Sequence, residues 1–273
     1  LATFHDPNNS LFEGFLSAGS TAGLMPLNSY EKTGSIFGTP GIPAGNMMGT
    51  RQPTIAVNTE SENRVANWVG DFDEPGFKFR TYQIAASSHD SKHSIVDYYN
   101  RNGCNPLRRI GRGNGFTPAD GDLLDYPYHF IFNAAFRHLY CWAREGIPAP
   151  HAPKIETRVA FKESTDAFGS YLENCTDAFG NCKGGIRTPA VDYPTGKYTS
   201  FSTDDQGKVN ATFGKVNPFP PDLLKNLYGT LENYRKLVEK GADDMLAKGF
   251  LLPEDREEMI RVIMETASQR GLI

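Results

Sequence analysis

Short hydrophobic runs, each closed by a polar stretch, mark the first ordered part of the chain. The run Ile55 to Val57 stops at "NTESEN", which is how a buried parallel strand ends. A second strand is predicted in "FKFRTYQIAA", which stops at "SSHD". The intervening "RVANWVGDFDEPG" leaves room for a short helix and a turn at most. We therefore predict two strands of one sheet, each followed by polar side chains.

Helical spacing of apolar residues appears later. "YPYHFIFNAAFRHLYCWAREG" is predicted as a helix that ends at Gly146 and packs on the sheet. Two helices close the chain: one runs from about Pro221 to Lys248, and the other lies in "LPEDREEMIRVIMETASQ". Residues 1–50, 100–125 and 151–220 are rich in loop-forming residues. The pattern predicts an α/β protein without internal repeats.

Composition and charge exclude some functions. The 273 residues carry a net charge of -4, which provides no electrostatic footprint for nucleic acid. No apolar run approaches the roughly 18 to 20 residues that cross a bilayer, so we expect no membrane span. The chain does not begin with Met, which fits either proteolytic processing of a longer precursor or a truncated product.

Cysteine spacing and glycosylation triplets indicate an oxidising environment. The stretch "CTDAFGNC" would form a small closed loop if Cys175 and Cys182 were joined in a disulfide, while the pairing of Cys104 and Cys141 stays open. N-x-S/T triplets, which accept N-linked glycans, occur at three asparagines: Asn8, Asn174 and Asn210. We predict a secreted or lumenal glycoprotein.

Titratable residues follow both predicted strands. Glu60 and Glu62 come after the first strand, and His89 follows the second. An acid followed one strand later by a histidine is the chain order found in hydrolases whose triad lies at the carboxyl edge of a parallel sheet. The histidine takes a proton from the nucleophile, and the carboxylate orients the imidazole and stabilises its charged form. His89 is therefore a candidate general base.

Five stretches resemble a known family in the same order along the chain: "PTIAVNTESEN", "FRTYQIAASSHD", "FNAAFRHLYCWAREGIPAP", "GGIRTPAVDYPTGKYTSF" and "LAKGFLLPEDREEMI". They look like successive blocks of the α/β-hydrolase domain-containing family of serine esterases. "SLFEGFL" is similar to the segment after that family's nucleophile elbow. The resemblance implies that residues 1–273 are the carboxyl-terminal portion of one α/β-hydrolase domain. Residues 52–150 would hold the acid and histidine strands with a packing helix, and residues 151–273 the loop-rich region and closing helices.

The resemblance also implies which acid pairs with the histidine. The family's T-E-x-D pattern places the triad acid last, and that position is Glu62, a glutamate where aspartate is more common. Glu60 is the second choice. Asp90 matches an acidic position after the family's histidine, and we expect it to have a structural role in the turn.

The nucleophile is not apparent in the sequence, since no G-x-S-x-G motif occurs. Thr21, in "GSTAG", lies too close to Glu62 for the intervening strand and helices, and Ser87 and Ser88 adjoin the histidine they would have to approach. All cysteines follow the acid, against the family order. We therefore predict that a preceding amino-terminal segment of the same precursor completes the sheet and carries the serine.

The predicted reaction is hydrolysis of a small-molecule ester without a cofactor. A metal site in "HDSKH" would lack a third ligand beside His89 and His93, so we expect none. Two alternatives stay open. In the first, the chain would be a homologue with non-hydrolytic chemistry, such as a lyase or isomerase; in the second, it would be a non-catalytic binding subunit.

Overall fold

The structure is a computed structural model that describes residues 11–19, 52–63, 70–93, 121–159, 172–203, 207, 209–210 and 212–273. Three residues considered above, Asn8, Thr21 and Cys104, lie outside the described residues.

The central sheet has four strands in the order β1-β2-β4-β3. They are β1 (Phe15–Ala18), β2 (Thr54–Thr59), β3 (Phe72–Glu74) and β4 (Phe77–Ile84). The first, second and fourth run parallel, which confirms the two strands that the sequence predicted. Every residue of β2 is buried, as expected for a strand covered on both faces. Within the described part of the chain, β1 pairs with β2 only, so its outer edge carries no strand there.

The sequence did not predict the short strand β3, which forms an antiparallel hairpin with β4 through Pro75 and Gly76. Phe72 lies directly opposite Phe79 across this pair. The ring of Phe77 lies 4.7 Å from Phe72 and 5.7 Å from Phe79, so three aromatic rings stabilise the hairpin. Aromatic packing across the two strands stabilises β3, whereas the charged residues and glycine in this stretch hid the strand from the sequence pattern.

A single helical turn, α1 (Glu60–Asn63), follows β2 directly, and the long helix α2 (His129–Glu145) contacts β1 and β2. The predicted helix is thereby confirmed. Its sheet-facing side is buried at Phe130, Ile131, Ala134, Ala135, Leu139 and Trp142. It ends at Gly146, whose left-handed backbone (φ 71°) lets its N–H bond to the carbonyl of Cys141.

Helices form most of the carboxyl-terminal region: α3 (Pro189–Asp192), α4 (Pro221–Tyr228), α5 (Leu231–Lys248) and α6 (Arg256–Gln269), with a 3-10 turn at Pro253–Asp255. The sequence predicted one helix where α4 and α5 are two. The chain breaks at Gly229, which has a φ of 74°, and restarts at Thr230, whose side chain accepts the N–H of Asn233. Thr230, a residue able to cap a helix N-terminus, thus begins a second helix within a stretch that the sequence pattern indicated as one.

Short strands occupy the region predicted to be rich in loops. They are β5 (Asp122–Leu123), β6 (Thr157–Val159), β7 (Leu172–Asn174), β8 (Gly196–Thr199), β9 (Ser202–Thr203), β10 (Val209–Asn210) and β11 (Lys215–Pro218). They form a three-stranded antiparallel sheet in the order β5-β11-β8 and two small hairpin ladders. One large apolar cluster joins the central sheet to α2, α5 and α6.

The predicted disulfide is not formed. Cys175 and Cys182 are both free thiols. An antiparallel bridge pairs Thr176 with Cys182, and the N–H of Lys183 bonds to the carbonyl of Cys175. In this register Cys175 lies opposite Lys183, and neighbours along a strand point to opposite faces. The two sulfurs therefore lie on different sides of the ladder, with Cys182 buried against Ala85 and Ile155.

Among the described helices, none combines the length and apolar character that crossing a bilayer requires.

Candidate functional site

A carboxylate and a histidine meet at the carboxyl edge of the central sheet. Glu62 lies in α1, directly after β2, and His89 lies in the turn after β4. Because the two strands are parallel and end together, with Thr59 opposite Ile84, their following segments are neighbours. Nδ1 of His89 lies 2.7 Å from Oε1 of Glu62.

The two partners differ in exposure. The Glu62 side chain is 2% exposed, whereas that of His89 is 48% exposed. Among the described residues, the other ring nitrogen of His89, Nε2, has no hydrogen-bond partner. The contact with Glu62 favours the tautomer in which Nδ1 carries the proton, so Nε2 is left to accept one.

Hydrogen bonds to Glu62 keep it ionised. Burial raises the pKa of this carboxyl, but the bonds from His89 and from the hydroxyl and backbone N–H of Thr59 lower the pKa by more, so that it lies below the ordinary value. The Thr59 N–H is 2.6 Å from Oε2. In turn, the hydrogen bond to Glu62 raises the pKa of His89, and burial only partly offsets this. The pair can therefore stabilise an imidazolium ion.

The turn that carries His89 is held by side chains from other parts of the chain. Ala86 has a left-handed backbone with a φ of 56°, which costs an alanine about 1–2 kcal/mol. The hydroxyls of Tyr126 and Tyr128 donate to the carbonyls of Ala85 and Ser88. The turn is therefore fixed before any substrate arrives.

Glu60, the second candidate acid, is part of this support. Its Oε2 accepts the Ala86 N–H over 2.9 Å, and its Oε1 lies 3.3 Å from Nδ2 of Asn174 and 3.4 Å from Oγ of Ser200. No hydrogen bond joins Glu60 to His89 in the described part of the chain. Of the two glutamates that the sequence proposed, the structure brings Glu62 to the histidine.

The end of β1 approaches the same ring. The N–H of Gly19 bonds to the carbonyl of Val57, and its backbone is left-handed with a φ of 59°. A Cβ added at Gly19 would lie 2.9 Å from Cε1 and 3.0 Å from Nδ1 of His89. Sequence reasoning missed this glycine, although small residues after an apolar patch, "LSAGS", marked the place.

Sequence reasoning also missed Tyr126 and Tyr128. Their alternation in "YPY", ahead of a helix, was a detectable signal for an extended segment with two side chains on one face. It does not reveal which backbone carbonyls the hydroxyls reach.

Other candidate residues serve the turn or lie elsewhere. The Ser87 hydroxyl donates to the carbonyl of Ile84, and that of Ser88 donates to the carbonyl of Asp90. The N–H of Asp90 bonds to the carbonyl of Thr212 over 2.8 Å, a backbone contact that anchors the turn. His93 stacks on His129 with ring centres 4.0 Å apart. Within the described residues, no group of three or more His, Cys, Asp or Glu side chains is arranged to hold a metal ion.

The glycosylation predictions stay predictions. The side-chain nitrogen of Asn174, to which a glycan would be attached, donates to Glu60 and is part-buried. Asn210 ends β10, and Asn8 lies outside the described residues.

Comparison with known families places this geometry in context. A family model described as an alpha/beta hydrolase domain matches residues 1–261. The chain belongs to this alpha/beta hydrolase domain family. Searches of curated proteins and of solved structures found no match. In alpha/beta hydrolases the triad acid and histidine follow the nucleophile in chain order, which is consistent with the positions of Glu62 and His89.

Proposed function

We propose that this chain is part of a serine hydrolase that cleaves esters, and that it supplies Glu62 and His89 to a Ser-His-acid triad. The observation that carries the proposal is the Glu62–His89 pair itself, since a buried carboxylate orients a half-exposed imidazole whose second nitrogen has no hydrogen-bond partner among the described residues. A family membership alone supports only a hydrolase-like function.

The proposed chemistry assigns each residue a step. Nε2 of His89 takes the proton of the serine hydroxyl as its oxygen attacks the ester carbonyl, while Glu62 stabilises the resulting imidazolium. The histidine then gives the proton to the departing alcohol, which leaves an acyl-serine. Water, deprotonated by the same nitrogen, releases the acid and restores the serine.

We further propose that an amino-terminal segment of the same precursor provides the serine and the donors for the oxyanion. Two observations support this. Within the described residues β1 is the edge strand of the sheet, which is the position where a preceding strand would continue it. Gly19, at the end of that strand, lies against Cε1 and Nδ1 of His89, so a neighbouring parallel strand would end near the imidazole.

A fluorophosphonate probe tests the proposal, because it reacts covalently only with an activated serine. The native protein, with every segment that accompanies it, should be labelled on one serine, and mass spectrometry of the labelled peptide identifies the segment. His89→Ala should slow labelling by about 10²- to 10⁴-fold, the usual contribution of a general base.

The matched control is His151→Ala, which removes an exposed histidine that also contacts a carboxylate but lies away from this turn. It should label at the normal rate. A native protein that takes up no probe would contradict the hydrolase proposal and favour a non-hydrolytic homologue or a binding subunit.

A further inference from the structure

Glu60 and Ala86 form a second link between the two segments that carry Glu62 and His89. Glu60 lies two residues before Glu62, and Ala86 lies three residues before His89. The link includes a hydrogen bond in each direction: the Ala86 N–H donates to Oε2 of Glu60, and the Glu60 N–H donates to Oγ of Ser87, next to Ala86, over 3.1 Å. We therefore expect the loss of these hydrogen bonds to change the distance between His89 and Glu62.

The conformation of Ala86 needs this support. Its φ of 56° is unfavourable for any residue with a Cβ, and the backbone N–H that this conformation presents is fully buried with the residue. A carboxylate oxygen is a strong acceptor for such a group. Without that acceptor, no hydrogen bond to Glu60 offsets the cost of the left-handed conformation, and we expect Ala86 to return to a common backbone conformation.

The Glu60 carboxylate is itself held in place. Only 7% of the residue is exposed, and its second oxygen lies within hydrogen-bond distance of Asn174 and Ser200, from two further segments of the chain. The acceptor for Ala86 is thus fixed by groups that take no part in the proposed reaction.

We infer that Glu60 is a positioning residue, whose buried carboxylate holds Ala86 in the left-handed conformation that brings His89 onto Glu62. This inference rests on the function proposed above, since it gives the proposed base its position. It assigns no proton transfer to Glu60.

The test measures the His89 imidazole itself, by an NMR pH titration of the full protein with labelled histidine. The contact with Glu62 raises the His89 pKa, and Asp90 adds to this effect. In Glu60→Gln the amide offers one acceptor and one donor in place of two acceptors, so a donor from Ala86 or from Asn174 and Ser200 loses its partner. The His89 pKa should therefore fall towards its ordinary value.

Two controls separate positioning from general damage. Glu173→Gln removes a neighbouring surface carboxylate that pairs with Arg158, and it should leave the His89 titration unchanged. Ala86→Gly, introduced into Glu60→Gln, should restore most of the His89 pKa, because glycine adopts a positive φ without steric cost. Ala86→Val, which disfavours the same conformation while retaining Glu60, should lower the His89 pKa as Glu60→Gln does.

In an ester assay, Glu60→Gln should lower kcat by about 10- to 100-fold with little change in KM, and Ala86→Gly should recover part of the loss. An unchanged His89 pKa in folded Glu60→Gln would overturn the inference. A Glu60→Gln protein that does not fold would overturn it too, because Glu60 would then stabilise the domain rather than the turn.

The inference and the proposed function fail in different ways. If Glu60→Gln shifts the His89 titration but the native protein takes up no fluorophosphonate, the proposed reaction is wrong and the positioning role stands. If labelling requires His89 but Glu60→Gln leaves its titration unchanged, the positioning role is wrong and the reaction stands.

Discussion

In the described part of the chain, two histidine–carboxylate pairs have nearly the same length. Nδ1 of His89 lies 2.7 Å from Glu62, and Nδ1 of His151 lies 2.8 Å from Asp71. The first pair lies in the turns beyond two parallel strands. The second lies beside the middle of β4, where Asp71 accepts the N–H of Thr81.

The surroundings of the second pair give it a structural role. Asp71 also accepts a hydrogen bond from Lys154, whose amine donates in addition to the carbonyl of Thr81. Between them the two side chains satisfy the edge of β4 beyond the short strand β3. The other ring nitrogen of His151 lies 3.4 Å from Asp73, so both of its nitrogens face carboxylates.

The comparison shows that a hydrogen bond between histidine and carboxylate does not by itself identify a catalytic base. What separates the pairs is the second ring nitrogen: among the described residues it has no hydrogen-bond partner in His89, whereas in His151 it faces an acid. The burial of Glu62 adds to the difference, because a buried carboxylate interacts more strongly with its imidazole partner than a charge in water does.

The largest expected difference between the pairs is in the role of the acid. Glu62→Gln should lower the turnover of an activated ester by about three to four orders of magnitude, because the amide no longer favours the working tautomer or stabilises the imidazolium. Asp71→Asn should leave turnover unchanged and cost about 1–3 kcal/mol of stability through hydrogen bonds lost at Thr81 and Lys154. Steady-state kinetics and denaturant unfolding measure the two effects, and equal kinetic losses would contradict the distinction.

A smaller effect is expected at Gly19. In Gly19→Ala the new methyl group would overlap the His89 ring, so the ring must move and turnover should fall by up to about a hundredfold. Gly146→Ala is the matched control: this glycine has a similar left-handed backbone, but no atom of the described residues lies within 4 Å of an added Cβ. It should lose roughly 1 kcal/mol of stability and no activity. Comparable activity in the two variants would show that β1 does not confine the ring.

The smallest expected effect is on the pH dependence of stability. The pKa of His89 is raised in the folded protein, so its charge stabilises the fold fully below the unfolded pKa of about 6.5, and this contribution is lost as pH rises through the folded value. His89→Ala should therefore lower Tm more at about pH 5.5 than at about pH 8.5. The difference should disappear in a Glu62→Gln background, and its persistence there would assign the shift to another group.

Much of the site's framework was predictable from the sequence. The apolar runs before Glu60 and His89 indicated the parallel strands, and the helical spacing up to Gly146 indicated α2. A pattern of this kind depends on burial of whole faces, which is regular enough to read from one sequence. The order of the strands in the sheet was not predicted, because β1 and β3 were not recognised in the sequence.

The rest depends on contacts between distant parts of the chain. Nothing in the local sequence shows that the Glu60 carboxylate accepts the Ala86 N–H. Nor does it show that Asn174 lies beside Glu60, because these two residues are more than a hundred positions apart. The register between Thr176 and Cys182 likewise decides that Cys175 and Cys182 point apart, and sequence spacing alone suggested a disulfide. Such details follow from tertiary packing.

The two tyrosines that hold the His89 turn separate its rigidity from its ionisation. Burial raises the phenol pKa of Tyr126 and of Tyr128 well above the ordinary value, so both remain donors under alkaline conditions that fully deprotonate a histidine. These two tyrosine hydrogen bonds to the turn therefore persist across the range in which His89 changes charge. An alkaline arm in a rate profile would therefore not report the loss of these two tyrosine donors.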